Sequence, residues 1–234
     1  MRSLLPQSCL LCGARSGTRL ACSACDAALL RLPPERCTVC ALPITGGTVC
    51  GECLRATPHY DATTAPFAYA FPLDALIQAL KYGGDLAVAR LLGEALAHAV
   101  ARERVDLLVP MPLSTRRLRE RGFNQALEIA RPVAHAGGIP LAPNACRRVI
   151  DTPAQAALPW KARARNVRGA FVCDADVRDL RVAIVDDVMT TGATVNELAR
   201  NLKRAGASEV RVWVVARALR HDAPFGAKLD YCPY

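Results

Sequence analysis

Residues 186–194 combine two adjacent carboxylates with a run of small and hydroxyl side chains. Asp186 and Asp187 are followed, after Val-Met, by Thr-Thr-Gly-Ala-Thr, here named the 190–194 loop. Its glycine and small residues let backbone N–H groups turn toward an anion such as a phosphate. The carboxylates would repel that phosphate, so we expect them to accept hydrogen bonds from a sugar diol. This combination predicts a ribose 5-phosphate site; the alternative is a capped helix after an acidic turn, without a ligand.

Cysteines are concentrated near the beginning of the chain. Eight of the 11 lie within residues 9–53, in four Cys-x-x-Cys pairs separated by 9, 11 and 9 residues. Two such pairs supply the four sulfurs of a structural zinc site. The spacing favours two consecutive sites; a cross-braced pairing, iron in place of zinc and a disulfide framework are the alternatives. The predicted sites are Cys9, Cys12, Cys22 and Cys25, and then Cys37, Cys40, Cys50 and Cys53.

This cysteine-rich segment is too short to bury a sizeable core. Bound metal should therefore supply much of its folding free energy. A Thr-Pro-His-Tyr linker at 57–60 follows it. We predict a double zinc ribbon at 1–58 and a second domain at 59–234. Cys146, Cys173 and Cys232 are scattered, and we expect them to be core or surface thiols.

Beyond the linker, apolar runs alternate with amphipathic segments, which is typical of an α/β protein. The helices are predicted after Pro72 with a stop at Gly83-Gly84, over 85–103, after Phe123, and over 195–205. The strands are predicted at 105–109, 181–185 and 209–216. Pro132 should kink or stop its helix, and Thr194 and Glu197 have the spacing of a capping box. Strand–helix–strand connections predict a parallel sheet, with Asp186 at the carboxyl edge where ligands bind.

Positive charge is concentrated in one stretch. The formal net charge is +9, and residues 101–170 alone carry 13 basic and five acidic side chains, a net +8. This clustering predicts a surface that meets phosphates, although the codon usage of a GC-rich genome also favours arginine. Aromatic residues that could stack on bases are few. The candidates are Trp160, Phe123, Tyr82 and His59, and the alternative for each is ordinary packing.

The overall composition is that of a globular protein, with 52% hydrophobic and 22% charged residues. No run of 18 uncharged apolar residues occurs, which argues against membrane insertion. The N-terminal residues lack the apolar run of a signal peptide. We therefore expect a cytoplasmic protein.

Several motifs resemble a known family. VDDVMTTGAT at 185–194 resembles the phosphoribosyl-diphosphate (PRPP) loop of type I phosphoribosyltransferases. The four cysteine pairs, LKYGGD (80–85), VPMPLSTRRLRERGFNQA (109–126) and DTPAQAALPWKARARNVRGAF (151–171) extend the resemblance to the ComF/GntX family of competence-associated proteins. It implies an α/β type I phosphoribosyltransferase-like parallel sheet with flanking helices, preceded by a small double zinc-ribbon module. Ala41 departs from the pattern, because the family usually has glycine after the third cysteine pair.

The resemblance also implies roles for individual residues. Asp186 and Asp187 would be the catalytic pair at the ribose hydroxyls, and the 190–194 loop would hold the 5-phosphate through Thr190, Thr191, Gly192, Ala193 and Thr194. The segment from Met111 to Gln125 would form the diphosphate-binding loop, with Mg²⁺ accompanying PRPP. Its diphosphate-binding arginines would be Arg116, Arg117, Arg119 and Arg121. A hood would include Lys81, Tyr82, Gln155, Arg163, Arg165 and Asn166.

The implied function is PRPP binding at a phosphoribosyltransferase site in a protein of DNA uptake and natural transformation. Single-stranded DNA and the competence helicase machinery would be its partners. One alternative is an authentic phosphoribosyltransferase whose acceptor, a nitrogenous base or ammonia, displaces diphosphate from C1 of the ribose. The other is a non-catalytic regulator that senses PRPP.

Overall fold

A parallel sheet forms the centre of the computed structural model, which describes residues 7–150 and 167–219. The strands are β1 (Gln7–Ser8), β2 (Arg15–Gly17), β3 (Ala62–Thr64), β4 (Phe67–Ala68), β5 (Leu107–Pro110), β6 (Cys146–Arg148), β7 (Phe171–Cys173), β8 (Arg181–Met189) and β9 (Glu209–Arg217). The main sheet has the order β3–β9–β8–β5, with β4 also beside β9, and all of its pairings are parallel. The predicted parallel α/β sheet is confirmed.

Helices connect these strands close to the predicted positions. They are α1 (Ser23–Ala28), α2 (Gly51–Arg55), α3 (Leu73–Gly83), α4 (Leu86–Ala99), α5 (Thr115–Arg121), α6 (Gln125–Gly137) and α7 (Ala193–Arg204). Helix α3 ends as predicted, because Gly84 takes the left-handed conformation (φ +68°) that glycine adopts without strain. Across the described ranges, no helix has the length and apolar character needed to cross a bilayer.

The two faces of the sheet are covered by different elements. Successive strand residues point to opposite faces, so Ala183 and Val185 of β8 pack with α3, α4 and α6. Val182 and Ile184 point the other way and pack with α7 and with the cysteine-rich segment around Cys37 and Cys40. Part of the cysteine-rich segment therefore belongs to the hydrophobic core on this face of the sheet.

Helix α6 continues through Pro132, so the predicted early stop is wrong. Proline leaves the carbonyl four residues earlier without its helical N–H partner. The neighbouring helix α4 accommodates the proline ring by presenting Gly93. A Cβ at Gly93 would lie 2.6 Å from the Ile129 carbonyl oxygen and 2.8 Å from Cγ of Pro132. The close packing of α4 on α6 therefore requires glycine at position 93.

The predicted capping box of α7 is also wrong. The helix begins after Gly192, which is its N-cap and provides no side chain, so Thr194 already lies inside the helix. The Glu197 carboxylate instead accepts a hydrogen bond from the Gly169 N–H at 2.8 Å and pairs with Arg200 at 2.5 Å. Glu197 thereby joins α7 to the chain that precedes β7.

Candidate functional site

The predicted carboxylates lie at the carboxyl edge of the sheet, where a cavity of about 540 Å³ opens. Strand β8 runs on to Met189, beyond the predicted end at residue 185, so Asp186 and Asp187 are strand residues. Both line the cavity together with the whole 190–194 loop. A cavity of this size is typical of small-ligand sites.

Lys81 lies at the floor of this cavity. Its Nζ forms an ion pair with Oδ2 of Asp187, and both side chains are largely buried. The resemblance assigned Lys81 to a hood, and the structure brings it into contact with the acids. Burial opposes the charged form of Lys81, but the adjacent Asp187 carboxylate raises the pKa of Lys81 above its ordinary value.

The two carboxyl groups are held differently. Oδ1 of Asp186 accepts a hydrogen bond from the backbone N–H of Asp187 at 2.9 Å. Burial, and then the charge of Asp187, raises the pKa of Asp186 well above its usual range. Burial would also raise the pKa of Asp187, but Lys81 and the hydrogen bonds to the carboxylate hold that pKa below its ordinary value. Asp187 is thus the ionised partner of Lys81, and Asp186 is the carboxyl group that holds its proton more tightly.

The 190–194 loop connects β8 to the N-terminus of α7. Gly192 has a φ of +81°, and a Cβ there would lie only 2.8 Å from Cε of Met189. Oγ1 of Thr191 accepts a hydrogen bond from the N–H of Ala193 at 3.1 Å, which fixes the turn into the helix. The first N–H groups of a helix favour an anion through their orientation and the helix dipole. The loop therefore has the backbone arrangement of an anion site.

Arginines from helix α5 form part of the cavity wall. Arg116, Arg117 and Arg121 line the cavity. Arg119 is exposed on the same helix and is not among the residues that line the cavity in the described part of the chain. Ser114 caps this helix by accepting a hydrogen bond from the N–H of Arg117 at 3.4 Å. The cavity is thus lined by two acids and by guanidinium groups of α5.

The Arg-Gly-Phe-Asn-Gln-Ala motif at 121–126 fixes the position of this wall. Asn124 caps α6 through the N–H of Ala126 at 3.0 Å, and its Nδ2 donates to the carbonyl of Met111 at 3.1 Å. Nη1 of Arg121 donates to Oε1 of Gln125 at 2.8 Å. These bonds join the end of β5 to the start of α6, so α5 between them is held against the cavity.

Sequence reasoning missed Arg148, which also lines the cavity. It lies on β6, its Cζ is 5.6 Å from the Phe171 ring centroid, and its Nε donates to the Ile150 carbonyl at 3.2 Å. Side chains alternate between the two faces of a strand, so Arg147 and Arg148 of β6 point in opposite directions, and Arg147 pairs with Asp174. This alternation was the signal in the sequence that could have identified Arg148. Arg148 extends the cationic wall beyond α5.

Some of the predicted hood residues lie within the described part of the chain and others lie outside it. Tyr82 lines the cavity with a highly exposed side chain, and Cζ of Arg121 lies 5.6 Å from its ring centroid. The other predicted hood residues, Gln155, Arg163, Arg165 and Asn166, lie outside the described residues.

The cysteines form the two predicted consecutive groups. In each group the four sulfurs lie within 4.8 Å of one another. A tetrahedral zinc ion with bonds of about 2.3 Å places its sulfur ligands about 3.8 Å apart. The Cys12–Cys22 and Cys40–Cys50 sulfur distances are 3.8 and 3.6 Å, so the geometry fits zinc. The first four-cysteine cluster is Cys9, Cys12, Cys22 and Cys25; the second four-cysteine cluster is Cys37, Cys40, Cys50 and Cys53.

Ala41 occupies a left-handed conformation in the second cluster. Its φ is +59°, and its N–H donates to the Cys37 carbonyl at 2.8 Å in a tight turn after the Cys37–Cys40 pair. Glycine adopts this conformation without a steric penalty, whereas alanine does not. The departure noted in the sequence therefore places local strain in the turn and leaves the four sulfurs grouped.

Comparisons with known proteins match both halves of this arrangement. A double zinc ribbon domain matches residues 1–54, and a phosphoribosyl transferase domain matches residues 136–230. The "DNA utilization protein YhgH" of Salmonella typhimurium is 35% identical over 85% of this chain and 90% of its own length. The "Competence protein F" of Haemophilus influenzae is 36% identical over 72% of this chain and 78% of its own. The chain belongs to the ComF/GntX family.

A more distant relative extends the match over most of the chain. The "Competence protein ComFC" of Streptococcus pneumoniae is 24% identical over 89% of this chain and 99% of its own length. In this ComF/GntX protein, a phosphoribosyltransferase-type parallel sheet follows two four-cysteine, zinc-ribbon-like sites. The resemblance found in the sequence is confirmed at the level of family and fold.

Proposed function

We propose that this protein binds PRPP in the cavity at the end of β8. The supporting observation is that the two acids, the 190–194 loop and three arginines of α5 line the same cavity. The loop would hold the 5-phosphate, and Asp186 and Asp187 would accept hydrogen bonds from the ribose hydroxyls. The diphosphate would lie toward Arg116, Arg117 and Arg121, with Mg²⁺ bound to its oxygens.

The same arrangement suits transfer of the phosphoribosyl group. Positive charge develops at C1 as diphosphate leaves, and negative charge develops on the departing group. Guanidinium groups that line the cavity would stabilise the leaving group, and the ionised Asp187 near the ribose would favour the positive centre. Lys81 would keep Asp187 ionised for this role. The acceptor would be a nitrogenous base or ammonia.

We further propose that the protein acts in DNA uptake and binds single-stranded DNA. Two supporting facts are the names of its relatives, a DNA utilization protein and competence proteins, and the clustered positive charge of residues 101–170. Arg119 on α5 is exposed beside the cavity wall, so DNA phosphates can reach it while PRPP is bound. The competence helicase machinery would be the protein partner.

Calorimetric titration with PRPP and Mg²⁺ tests the ligand assignment. We expect saturable binding by the zinc-loaded protein and loss of binding in the double variant Asp186→Asn, Asp187→Asn. Asp106→Asn is the matched acid-to-amide control, because Asp106 pairs with Arg181 at the opposite end of β8. A folded parent that does not bind PRPP would refute the proposal.

A turnover assay distinguishes an active phosphoribosyltransferase from a non-catalytic regulator that senses PRPP. Release of diphosphate from PRPP that depends on added ammonia or a nitrogenous base, with formation of the phosphoribosylated acceptor, would establish phosphoribosyl transfer. Tight PRPP binding without diphosphate release across these acceptors would favour the PRPP-sensing regulator. DNA binding is measured separately, as the dependence of affinity on salt concentration.

A further inference from the structure

Arg217, the last residue of β9, is a charged side chain buried in the core, with only 2% of its surface exposed. Burial of a guanidinium group is unfavourable unless its N–H groups are hydrogen-bonded. Nε donates to the Cys40 carbonyl at 2.8 Å. Nη1 donates to the carbonyls of Met189 at 2.9 Å, of Ala218 at 3.0 Å and of Thr190. One side chain thus joins separate segments of the backbone.

Two of these segments belong to different sites. Cys40 is a member of the second four-cysteine cluster, whereas Met189 precedes the 190–194 loop and Thr190 is its first residue. Arg217 holds the carbonyl oxygens of Met189 and Thr190 from the core side. The N–H groups that follow are those we propose to face the phosphate.

Tyr60 makes a second connection between the same two sites. It is buried in the core with Cys40, Cys53 and Met189. Its hydroxyl lies 3.2 Å from the position that a Cβ would take at Gly192, at the centre of the 190–194 loop. The tyrosine therefore fills the space between the second four-cysteine cluster and the loop.

The first four-cysteine cluster is placed differently. Cys37, Cys40 and Cys53 are members of the main core, together with residues of α7 and β8, and no cysteine of the first cluster is among the described residues of that core. Cys12 of the first cluster is exposed. The two clusters share the same ligand chemistry, but Arg217 and Tyr60 connect the second cluster to the 190–194 loop.

We propose that Arg217 is a positioning residue through which the metal-bound state of the second four-cysteine cluster controls anion binding by the 190–194 loop. The proposal rests on the proposed PRPP site for its ligand. Metal bound to Cys37 and Cys40 holds the turn that orients the Cys40 carbonyl. Without the metal that carbonyl is free to move, Arg217 loses an acceptor in the core, and the support behind Met189 and Thr190 is weakened.

Matched cysteine variants of the full chain test the asymmetry between the clusters. Cys40→Ser and Cys12→Ser each remove one sulfur from one cluster. We expect each variant to bind one zinc ion fewer per chain than the parent. PRPP affinity should fall at least fivefold further in Cys40→Ser than in Cys12→Ser, and amide exchange in residues 189–194 should accelerate only in Cys40→Ser. Equal effects of the two substitutions would overturn the proposal.

Arg217 variants test the connection itself. Arg217→Lys keeps the charge but loses the forked donor, and Arg217→Met removes both. We expect both to keep the parent's zinc content while PRPP affinity falls at least tenfold and residues 189–194 exchange faster. Should Arg217→Met fail to fold, Arg217→Lys carries the test alone. A folded variant with the parent's PRPP affinity and the parent's amide exchange in residues 189–194 would refute the role of Arg217.

The exchange measurement also separates this proposal from the PRPP assignment. A parent that does not bind PRPP would refute the proposed function. The exchange of residues 189–194 in the Cys40 and Arg217 variants would still decide whether the cluster controls the loop.

Discussion

Nζ of Lys81 and Oδ2 of Asp187 form an ion pair at the floor of the cavity. The neighbouring carboxyl group, that of Asp186, accepts a hydrogen bond from the backbone N–H of Asp187. Because of this arrangement, two adjacent aspartates have pKa values that move in opposite directions, lowered for Asp187 and raised for Asp186. The same substitution should therefore have opposite effects on stability at the two positions.

Asp187→Asn should destabilise the protein at neutral pH, because Lys81 loses its partner while its side chain is only 21% exposed. Removal of one partner from a fully buried pair costs about 3–5 kcal/mol, and we expect about 2–3 kcal/mol here. The lowered pKa of Asp187 means that its contribution is present at neutral pH and is lost as the pH falls through that pKa. Urea unfolding at several pH values measures this, and an equal loss at every pH would contradict the assignment.

Asp186→Asn should raise the melting temperature at neutral pH while weakening PRPP binding. Because folding raises the pKa of Asp186, its carboxyl group destabilises the fold increasingly as the pH rises above the ordinary aspartate range. Asparagine removes this penalty and keeps an oxygen that accepts the Asp187 N–H. We expect a gain of about 2–4 °C, the shift that 1 kcal/mol gives in a protein of this size. The gain should disappear as the pH falls below the ordinary aspartate range, where both side chains are neutral. Thermal unfolding at neutral and acidic pH provides the comparison.

Gly192→Ala should abolish PRPP binding at moderate cost to stability. Its φ of +81° strains any L side chain, and the new methyl would lie 2.8 Å from Cε of Met189. The backbone strain alone costs about 1–2 kcal/mol. Gly138→Ala is the control, because Gly138 has a φ of +61° with open space around it, at the end of α6. Comparable loss of PRPP affinity in both variants would show that strain, rather than the loop, is responsible.

Substitutions of the α5 arginines should affect PRPP binding and DNA binding differently. Arg117→Gln and Arg121→Gln should each weaken PRPP binding by about tenfold, since a hydrogen bond to a charged group contributes about 1.5 kcal/mol. Arg119→Gln should change PRPP affinity less than twofold, because Arg119 does not line the cavity among the described residues. It should lower the salt dependence of DNA binding by about one unit of slope.

Arg90→Gln is the control for both measurements, because Arg90 pairs with Glu94 on α4 and does not line the cavity. Equal loss of PRPP affinity in the Arg119 and Arg117 variants would place Arg119 at the ligand. That result would support the assignment implied by the family resemblance.

Local patterns accounted for much of the fold. The spacing of the cysteine pairs predicted the two consecutive clusters, and the apolar strand before Asp186 predicted the edge of the sheet. Both are short-range features in which neighbouring residues determine the geometry. The capping box failed because Gly192 starts the helix two residues earlier, and the Glu197 carboxylate is used by a distant N–H.

Contacts between distant parts of the chain could not be predicted in this way. Lys81 and Asp187 are far apart in sequence, and no local signal marks them as partners. Arg217 has the sequence context of an ordinary strand end, and its role depends on Cys40 and Met189 being brought beside it. Pro132 is tolerated because another helix presents Gly93, which the pattern around Pro132 does not reveal.

The position of β9 has a consequence for synthesis of the protein. This strand lies between β3, near the beginning of the sheet-forming chain, and β8, which immediately precedes it in the order of strands. In the part of the chain that the structure describes, β9 is the strand that pairs with β3, so this edge of β3 stays unpaired as the polypeptide leaves the ribosome until residues 209–217 emerge. The Cys40 carbonyl likewise lacks the hydrogen bond from Arg217 until that residue has been synthesised. The nascent chain should therefore remain accessible to chaperones and proteases until residues 209–217 have been synthesised, because the edge of β3 that pairs with β9 is exposed until then.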